Sequence, residues 1–474
     1  MENKDRKFHF IAIGGVGMSG LAKYLLEMGC TVSGSDIKES KYTKKVEKMG
    51  ATVHIGHDAK YIEKGMIVVA STAIHEDNPE IIRSKELGIK VLHRSDVLKM
   101  ISEGLEDKEH EDQLFIGFSG THGKTTTSGL CSYVLEKAGY KPSYCVGGII
   151  PDLDTNAEYQ NGTKDGKFFV AELDESDGTI VKYHTNISVI NNLEVDHVDF
   201  YKNGFSDLLD TFKVHLDNMK SGGKIIVNKD CNGIKQLITA NPHRKFITFG
   251  IESGGVDYSA RNMKFNEFGS EFDIYHRSEK LISLKLTIPG KHNIYNALAV
   301  TAALNEADID LERVKPHFET FSGMGRRFQK VAEFDGIRIF DDYAHHPTEI
   351  KTTLDSARLC DTNRLVAIFQ PHRYTRLKGL WNDFLKSFGA VDKLIVVDVF
   401  SASEDPIEGI NSKNFAQCFK NDDVTYIGGS MENAARKILP LLKSGDMVIT
   451  LGAGDVTRIG PELVKLHEST TTGV

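Results

Sequence analysis

The segment that most constrains the fold is GFSGTHGKTTTS, residues 117–128, which ends an apolar run and opens a helical pattern. Glycines and small residues at such a junction let backbone N–H groups turn inward around a phosphate at a helix N-terminus. The strict spacing G-x-x-x-x-G-K-[ST] fails at one position, because Phe118 stands where the first glycine is expected, beside Gly117. The Gly-Lys-Thr core still indicates a phosphate loop more than a plain glycine-rich turn. Lys124 suits the outer phosphates and Thr125 suits Mg²⁺.

A second glycine-rich loop, IAIGGVGMSG, follows the predicted first strand of the chain. Gly15, Gly17 and Gly20 have the G-x-G-x-x-G spacing, and Asp36 ends the next apolar segment, as in a dinucleotide site. The alternative is a tight packing turn between a strand and a helix. The chain between the two loops is short for a full NAD domain, which favours a smaller nucleotide such as a UDP moiety.

Apolar, β-branched runs alternate with amphipathic helical patterns along the chain, which predicts parallel βαβ units and an α/β fold. The charged segment SEGLEDKEHEDQ and the segment SGMGRRF interrupt this alternation. Alternating apolar positions near residues 246–290 predict antiparallel pairing there. We therefore predict three domains: a Rossmann-like N-terminal domain over residues 1–108, a central P-loop ATPase domain over 109–323, and a Rossmann-like C-terminal domain over 324–474.

The composition is that of an ordinary globular protein. A formal net charge of -8 gives no indication of a general affinity for nucleic acid or for an anionic membrane. No apolar stretch reaches the roughly 18 residues that cross a bilayer, and the N-terminus is interpreted as a strand and not as a signal peptide. Six cysteines without C-x-x-C spacing disfavour a disulfide framework and a structural zinc site, so we expect a cytoplasmic location.

Two further predicted strand ends, AELDESD and NNLEVDHVD, carry residues that bind metals in other proteins. These residues are Glu172, Asp174, Glu175, Asp177, Glu194, Asp196 and His197. Carboxylates and an imidazole beside a phosphate loop suit a cation that bridges ATP and a second substrate. Solvated acidic loops are the alternative.

The third predicted domain has polar residues after two strands, in DDYAHHPTE and FQPHRYTR. Both segments should lie at one edge of a sheet, where α/β proteins bind ligands. Arg373 and Arg376 are three residues apart and can bind a carboxylate or phosphate from one helix face. A surface face of salt bridges explains the two arginines equally well.

Nine segments in order resemble the Mur ligase family: IAIGGVGMSGLA, SGSD, GTHGKTTT, AELDESD, NNLEVDHVD, PGKHNIYNALA, GMGRRF, DDYAHHPTE and FQPHRYTR. The resemblance covers almost the whole chain. It implies an ATP-dependent ligase that joins L-alanine to the lactyl carboxylate of UDP-N-acetylmuramate through an acyl phosphate, with Mg²⁺ or Mn²⁺. This is the first peptide step of peptidoglycan precursor synthesis, and we expect a monomer or weak homodimer without nucleic-acid or membrane partners.

The resemblance also implies roles for individual residues. Catalysis is expected from Lys124, Glu172 and His197, and metal binding from Thr125, Glu172 and His197. ATP binding is expected from Gly120, Thr121, His122, Gly123, Lys124, Thr125, Thr126, Asn293, Asn296, Arg327 and Asp342. The UDP-linked substrate is expected at Gly15, Gly17, Ser19, Asp36, Ser71 and Thr72. The amino acid is expected at Tyr343, His345, His372, Arg373 and Arg376.

Three alternatives stay open at the level of sequence. One is a murein-tripeptide recycling ligase of the same family, which shares nearly every segment. Another is an NAD-dependent oxidoreductase centred on the first glycine loop, which leaves GTHGKTTT unexplained. The last is a non-catalytic nucleotide-binding regulator. No general base is assigned, and Lys213 is left unassigned as a counterpart of the carbamylated lysine that several family members use.

Overall fold

The structure is a computed structural model. It describes residues 3–71, 74–105, 113–160, 168–196, 200–266, 269–360, 362–402, 404–419 and 423–471. These residues form three sheets with helices packed on them, so the predicted three-domain α/β architecture is confirmed. The boundaries at 108/109 and 323/324 stay predictions. Among the described helices, none is long and apolar enough to span a bilayer.

The N-terminal domain contains a five-stranded sheet in the order β3-β2-β1-β4-β5, with every pairing parallel. Its strands are β1 (Lys7–Ile11), β2 (Thr31–Asp36), β3 (Thr52–Ile55), β4 (Ile67–Ala70) and β5 (Val91–His93). Its helices are α1 (Val16–Glu27), α2 (Lys41–Lys48), α3 (Pro79–Glu86) and α4 (Arg94–Glu103). Strand β1 is buried except at its first residue, as expected for a parallel strand covered on both faces. The first glycine loop follows β1, where the strand order reverses and α/β sheets bind ligands.

Helix α1 packs the N-terminal domain onto the central domain. The ring of Tyr24 meets Phe169 edge-on at 6.1 Å. The ammonium of Lys23 donates to the carbonyl oxygen of Ala157 at 2.7 Å and to the carboxylate of Glu158 at 2.6 Å. The helix that begins at the first glycine loop is therefore fixed against the domain that carries the phosphate loop.

The central domain contains a ten-stranded sheet in the order β15-β14-β13-β12-β11-β10-β6-β9-β7-β8. Its strands are β6 (Leu114–Ser119), β7 (Ser143–Ile150), β8 (Thr155–Glu158), β9 (Phe168–Glu172), β10 (Ile187–Ile190), β11 (Lys224–Asn228), β12 (Phe246–Gly250), β13 (Tyr258–Asn266), β14 (Gly269–His276) and β15 (Glu279–Leu286). Its helices are α5 (Lys124–Lys137), α6 (Phe205–Asp217), α7 (Asn232–Ala240), α8 (Lys291–Glu306) and α9 (Leu311–Thr320).

Strand β6 lies inside this sheet and pairs in parallel with β9 and β10, so the ends of all three meet at one edge. Strands β13, β14 and β15 are antiparallel, which confirms the antiparallel pairing predicted for the later part of 246–290. Strand β12 instead pairs in parallel on both sides. Helix α5 is buried along residues 126–135, between the sheet and helices α8 and α9. This packing fixes the phosphate loop at the start of α5.

The C-terminal domain contains a six-stranded sheet in the order β16-β17-β21-β18-β19-β20, parallel except for the edge strand β16. Its strands are β16 (Gln329–Phe334), β17 (Ile337–Asp342), β18 (Arg364–Phe369), β19 (Lys393–Val397), β20 (Val424–Ile427) and β21 (Asp446–Leu451). Its helices are α10 (Pro347–Arg358), α11 (Tyr374–Gly379), α12 (Trp381–Ser387), α13 (Ser412–Gln417), α14 (Met431–Ile438) and α15 (Ile459–Thr471). The segments after β17 and β18 leave the sheet at the same edge, on either side of β21.

Candidate active site

The loop between β6 and α5 has the backbone geometry of a phosphate loop. Gly120 and Gly123 have φ values of +117° and +82°, a region that glycine occupies without steric cost. A Cβ on Gly120 would also lie 2.7 Å from the carbonyl oxygen of Asn192. Helix α5 begins at Lys124 with no side-chain cap, so the N–H groups of its first turn are available to an anion.

Lys124 lies largely buried where this loop enters α5. Its ammonium donates to the carbonyl oxygen of Gly120 at 2.8 Å and to the carboxylate of Glu175 at 3.0 Å. Burial alone acts to lower the pKa of Lys124, but the carboxylates of Glu175, Asp174 and Glu172 outweigh it and hold this pKa above its usual value. Lys124 is therefore a permanent cation at the phosphate loop.

Thr125 and Glu172 form a pair of oxygen ligands beside Lys124. The Thr125 hydroxyl donates to Glu172 Oε1 at 3.1 Å, and Glu172 Oε2 accepts from the N–H of Gly147 at 2.8 Å. Hydroxyl and carboxylate oxygens are the hard ligands that Mg²⁺ prefers, so these two residues fit a magnesium ion. The third predicted ligand, His197, lies outside the described residues.

The next two carboxylates of AELDESD bind protein cations instead of sharing a metal site with Glu172. Asp174 accepts a hydrogen bond from the guanidinium of Arg94, which reaches it from the N-terminal domain. Glu175 is buried against Lys124, and its second oxygen, Oε2, has no hydrogen-bond partner among the residues that the structure describes. In this segment Asp174 and Glu175 therefore act as counter-ions of Arg94 and Lys124, and Glu172 stays the predicted metal ligand.

A cavity of about 220 Å³ lies between the central and C-terminal domains, beside the phosphate loop. It is lined by seven residues predicted to bind ATP: His122, Gly123, Thr126, Asn293, Asn296, Arg327 and Asp342. The other four, Gly120, Thr121, Lys124 and Thr125, belong to the loop itself. Ile288 and Phe328 add apolar surface to the lining, which suits a nucleotide base. The cavity therefore has both a phosphate end and an apolar part.

Both domains contribute polar groups to this cavity. On α8, the Asn296 side-chain amide donates to Asn293 Oδ1 at 3.1 Å, so the two side chains hold each other in place. On the opposite side, Asp342 is buried, and burial raises its pKa to about 6 against the opposing charge of Arg327. The Asp342 carboxylate also accepts from the N–H of Phe328 at 2.8 Å, which fixes the segment that enters the third domain.

Four of the five residues predicted to bind the amino acid form one cluster at the ends of β17 and β18. The ring of His345 lies 5.2 Å from that of Tyr343 and 5.7 Å from that of His372. The Arg376 guanidinium lies 3.1 Å from His372 Nδ1. Burial lowers the pKa of His345 to about 4 and that of His372 to about 3, so both rings are neutral at pH 7. His372 Nδ1 therefore accepts the hydrogen bond from Arg376.

The two predicted arginines have different partners. Arg373 Nε lies 3.8 Å from Glu404 Oε1, within the C-terminal domain. Arg376 Nε lies 3.7 Å from Asp196 Oδ1, which belongs to the central domain. Arg376 therefore links the amino-acid cluster to the segment that follows β10, directly before the position of His197.

The residues predicted to bind UDP lie at the carboxyl edge of the N-terminal sheet. Gly15, Gly17, Asp36 and Ser71 occupy the ends of β1, β2 and β4 or the start of α1. Asp36 Oδ2 accepts from the N–H of Gly14 at 2.9 Å. Ser19 is buried, and its hydroxyl donates to the carbonyl oxygen of Val16 at 3.0 Å, so it faces its own helix. Thr72 lies outside the described residues.

His122, in the phosphate loop, lies between two carboxylates from different domains. Its Nε2 is 3.4 Å from Glu194 Oε2 of the central domain, and its Nδ1 is 3.4 Å from Glu349 Oε1 of α10. Burial acts to lower the pKa of His122, but the two glutamates outweigh it and raise this pKa to about 9. The imidazolium therefore bridges the central and C-terminal domains electrostatically.

Comparison with known proteins relates this geometry to a family. Residues 7–104 match the model described as "Mur ligase family, catalytic domain", 118–304 the Mur ligase middle domain, and 326–454 the "Mur ligase, glutamate ligase domain". The UDP-N-acetylmuramate--L-alanine ligase of Geotalea daltonii is 38% identical over 473 residues, covering 99% of this chain and 100% of that protein. The chain belongs to the Mur ligase family.

Two solved structures agree with this family assignment. The UDP-N-acetylmuramate-alanine ligase of Thermotoga maritima superposes with a TM-score of 0.81 at 26% identity, covering 98% of this Mur ligase and 99% of that chain. A murein peptide ligase of Psychrobacter arcticus has a TM-score of 0.71 at 21% identity, covering 97% and 98%, and shares the fold. The sequence-based resemblance to the Mur ligase family is therefore confirmed.

Sequence reasoning missed several residues of this Mur ligase site. Asn191 donates to Thr127 at 2.7 Å, and Asn192 Oδ1 accepts from the N–H of His122 at 2.7 Å, so both hold the phosphate loop. Both residues begin the segment NNLEVDHVD, and its position at the end of a strand is the feature of the sequence that could have predicted their role. Arg94 follows β5 in a segment without a recognisable motif, so its pairing with the central domain had no signal in the sequence.

Replacing His122 with glutamine is expected to change how stability depends on pH. The folded-state pKa of about 9 lies above the ordinary 6.5, so protonated His122 stabilises fully below pH 6.5 and this contribution disappears as pH rises through 9. Its full size is on the order of 3 kcal/mol. The melting temperature of the wild type should therefore exceed that of His122→Gln near pH 6, and the difference should shrink towards zero above pH 9.

A suitable control is His317→Gln on α9, where burial lowers the pKa of the imidazole. A folded-state pKa below the unfolded one has the opposite sign, so the melting temperature of the wild type relative to this variant should not fall as pH rises. A difference in melting temperature between the wild type and His122→Gln that is equally large near pH 6 and above pH 9 would contradict the proposed imidazolium bridge.

Proposed function

We propose that this chain is an ATP-dependent ligase that joins L-alanine to the lactyl carboxylate of UDP-N-acetylmuramate, releasing ADP and phosphate. The named activity of relatives at 38% identity over almost the full chain supports this proposal. The reaction would be the first peptide step of peptidoglycan precursor synthesis, with ATP as co-substrate.

The observation that carries the proposal is a set of charged contacts that connects the three domains around the phosphate loop. Lys124, in the phosphate loop, is electrostatically coupled to Asp174, which pairs with Arg94 of the N-terminal domain. Arg376 of the amino-acid cluster contacts Asp196, which follows β10. Strand β10 pairs with β6, the strand that precedes the phosphate loop. A UDP-linked substrate, ATP and an amino acid can therefore approach one centre from three domains.

The chemistry requires a cationic phosphate loop more than a nucleophilic side chain. An oxygen of the lactyl carboxylate attacks the γ-phosphorus of ATP, the bond to the β-phosphate oxygen breaks, and ADP leaves. The neutral amine of alanine then adds to the carbonyl carbon of the acyl phosphate. The tetrahedral intermediate expels phosphate, which keeps one carboxylate oxygen, and the amine nitrogen loses a proton. Phosphoryl transfer of this kind depends on positioning and charge neutralisation, which Lys124 and the loop N–H groups supply.

We assign Mg²⁺ to Thr125 and Glu172, whose adjacent oxygens fit it, with His197 as a further ligand by family resemblance. When bound, the ion would neutralise charge on the transferring phosphate. The protein's own contribution is to fix these oxygens: the N–H of Gly147 orients the Glu172 carboxylate, and Thr125 stands in the first turn of α5.

The remaining assignments are also proposals. The three domains are taken as residues 1–108, 109–323 and 324–474, with the UDP-linked substrate, ATP and the amino acid bound by the residues assigned to them above. A cytoplasmic location, the absence of nucleic-acid and membrane partners, and a monomer or weak homodimer are proposed with them. The His345 and His372 rings, neutral at pH 7, leave Arg376 as the cation that would hold the alanine carboxylate.

Phosphate release with a panel of acceptors tests this function. The purified protein receives ATP, Mg²⁺ and UDP-N-acetylmuramate, with L-alanine, glycine, L-serine or the tripeptide L-Ala-γ-D-Glu-meso-diaminopimelate added singly. Parallel reactions replace UDP-N-acetylmuramate with free N-acetylmuramate. We expect release that requires both L-alanine and UDP-N-acetylmuramate, with weaker release for glycine and serine, because a small side-chain pocket discriminates by only about 1–3 kcal/mol per methylene.

Turnover with the tripeptide and not with L-alanine would instead identify a recycling ligase, and would contradict the proposal. ATP binding without turnover for any pair of substrates would favour a regulatory protein.

A further inference from the structure

We propose that Arg94 is a substrate-binding residue that holds the diphosphate of the UDP-linked substrate from across the domain interface. This inference rests on the proposed function, because it concerns the same substrate. Neither the predicted UDP residues nor the predicted ATP residues include Arg94.

The guanidinium of Arg94 lies between the two predicted nucleotide sites. Arg94 is the first residue of α4, and its Nη1 is 3.6 Å from the position that a Cβ on Gly17 would occupy in the first glycine loop. Its Nη2 donates to Asp174 Oδ2 of the central domain. An anion seated on the first glycine loop would therefore lie within reach of Nη1 while Nη2 stays anchored.

The two ends of the guanidinium serve different purposes in this arrangement. Asp174 fixes the orientation of Arg94 without covering it, since 40% of the Arg94 side chain remains exposed. Arginine offers five N–H donors in a planar fork, so pairing with one carboxylate leaves donors for a second anion. Phosphate oxygens are the anions that this fork binds best, and the glycine loop is where the diphosphate is expected.

The start of α1 also offers N–H groups to an incoming anion. Among the described residues no side chain caps this helix, and its first turn contains no acidic residue, so these N–H groups add to the positive potential of Arg94. The Asp36 carboxylate accepts from the preceding N–H of Gly14 and leaves those of the first turn available. The Asp174 carboxylate also interacts electrostatically with Lys124 at the phosphate loop. Asp174 therefore interacts with one cation near each of the two glycine loops.

The short distance between Arg94 and Gly17 favours the diphosphate over the lactyl carboxylate as the group that Arg94 binds. The lactyl carboxylate must approach the γ-phosphate of ATP at Lys124 and Glu172, whereas Nη1 of Arg94 faces the glycine loop of the other nucleotide. Arg94 should therefore recognise UDP and every UDP-sugar alike, and should contribute little to the binding of uridine, which has no phosphate.

Calorimetric titration of Arg94→Gln and Arg94→Lys against uridine, UDP, UDP-N-acetylglucosamine and UDP-N-acetylmuramate tests this assignment. Loss of a charge-assisted contact should weaken the last three ligands by about 10- to 100-fold in Arg94→Gln, with the affinity for uridine changed by less than about threefold. Arg94→Lys should recover part of this loss because it keeps the charge without the fork. A non-hydrolysable ATP analogue should bind Arg94→Gln within about threefold of the wild type, which a general disturbance of the interface would not preserve.

Two further variants keep the test interpretable. Lys99→Gln lies on the same helix and removes an exposed pair with Glu103, so it should bind all four ligands like the wild type. Arg94→Gln/Asp174→Asn removes the carboxylate that the single change leaves unpaired. This double variant replaces Arg94→Gln in the titrations if the single variant does not fold, and it should show the same loss of affinity for UDP.

Equal weakening of uridine binding, or a loss confined to UDP-N-acetylmuramate, would overturn the assignment to the diphosphate. Unchanged affinity for UDP in Arg94→Gln would overturn it as well. Failure of the wild type to bind UDP-N-acetylmuramate would contradict the proposed function. If the wild type binds this substrate and Arg94→Gln binds it equally well, only the role of Arg94 is contradicted.

Discussion

Replacing Lys124 with methionine is expected to abolish ligase turnover, with kcat falling by at least about 1000-fold. The side chain keeps a similar length but loses the charge that is buried in the phosphate loop. Because the developing charge lies on the transferring phosphate, the loss should appear mainly in kcat. Steady-state phosphate release with saturating UDP-N-acetylmuramate and L-alanine measures it.

Lys124→Met also leaves the buried Glu175 carboxylate without its partner, so stability must be separated from catalysis. The double variant Lys124→Met/Glu175→Gln removes that orphaned charge and should melt closer to the wild type while staying inactive. Lys137→Met, at the other end of α5, should be fully active. A folded Lys124→Met protein that retains a tenth or more of wild-type kcat would show that this lysine is not part of the phosphate-transfer machinery.

Replacing Glu172 with glutamine should produce the second large effect, a fall in kcat of about 100-fold together with a rise of at least about 10-fold in the Mg²⁺ concentration required. The amide keeps the size of the side chain but removes the negative charge that pairs with the ion. Titrating Mg²⁺ at fixed ATP measures both quantities, and removal of the metal with a chelator should stop wild-type turnover.

Glu158→Gln is a matched control, since this carboxylate belongs to the same sheet but pairs with Lys23 at 2.6 Å, away from the phosphate loop. Its Mg²⁺ requirement should equal that of the wild type. If Glu172→Gln loses activity at an unchanged Mg²⁺ requirement, then Glu172 has a role other than metal binding, and the assignment of Thr125 and Glu172 as ligands fails.

The three-domain α/β architecture could be predicted from the sequence because the patterns that indicate it are local. A glycine-rich segment between an apolar run and a helical pattern is sufficient to place Lys124 at the start of α5, since the geometry of such a loop depends on a few neighbouring residues. The alternation of strands and helices likewise predicts parallel α/β domains. The single ten-stranded sheet of the central domain was harder to predict, because strand order depends on contacts between distant segments.

Side-chain pairings across the domain interfaces could not be predicted from local patterns. The spacing of AELDESD indicates a metal site in general terms, but it does not predict that Asp174 and Glu175 pair with Arg94 and Lys124. His122 is expected to bind ATP as part of the phosphate loop, and nothing in its spacing predicts that it also lies between Glu194 and Glu349. These pairings follow from how domains meet, which spacing along the chain does not encode.

The transfer of an oxygen from the lactyl carboxylate to phosphate is the measurement that tests the central claim most directly. UDP-N-acetylmuramate carrying ¹⁸O in both carboxylate oxygens is incubated with ATP, Mg²⁺ and L-alanine, and the released phosphate is analysed by mass spectrometry. Activation as an acyl phosphate predicts one ¹⁸O atom in each phosphate released and one in the amide product. Phosphate without ¹⁸O would mean that water and not the carboxylate receives the γ-phosphoryl group, and would contradict the account.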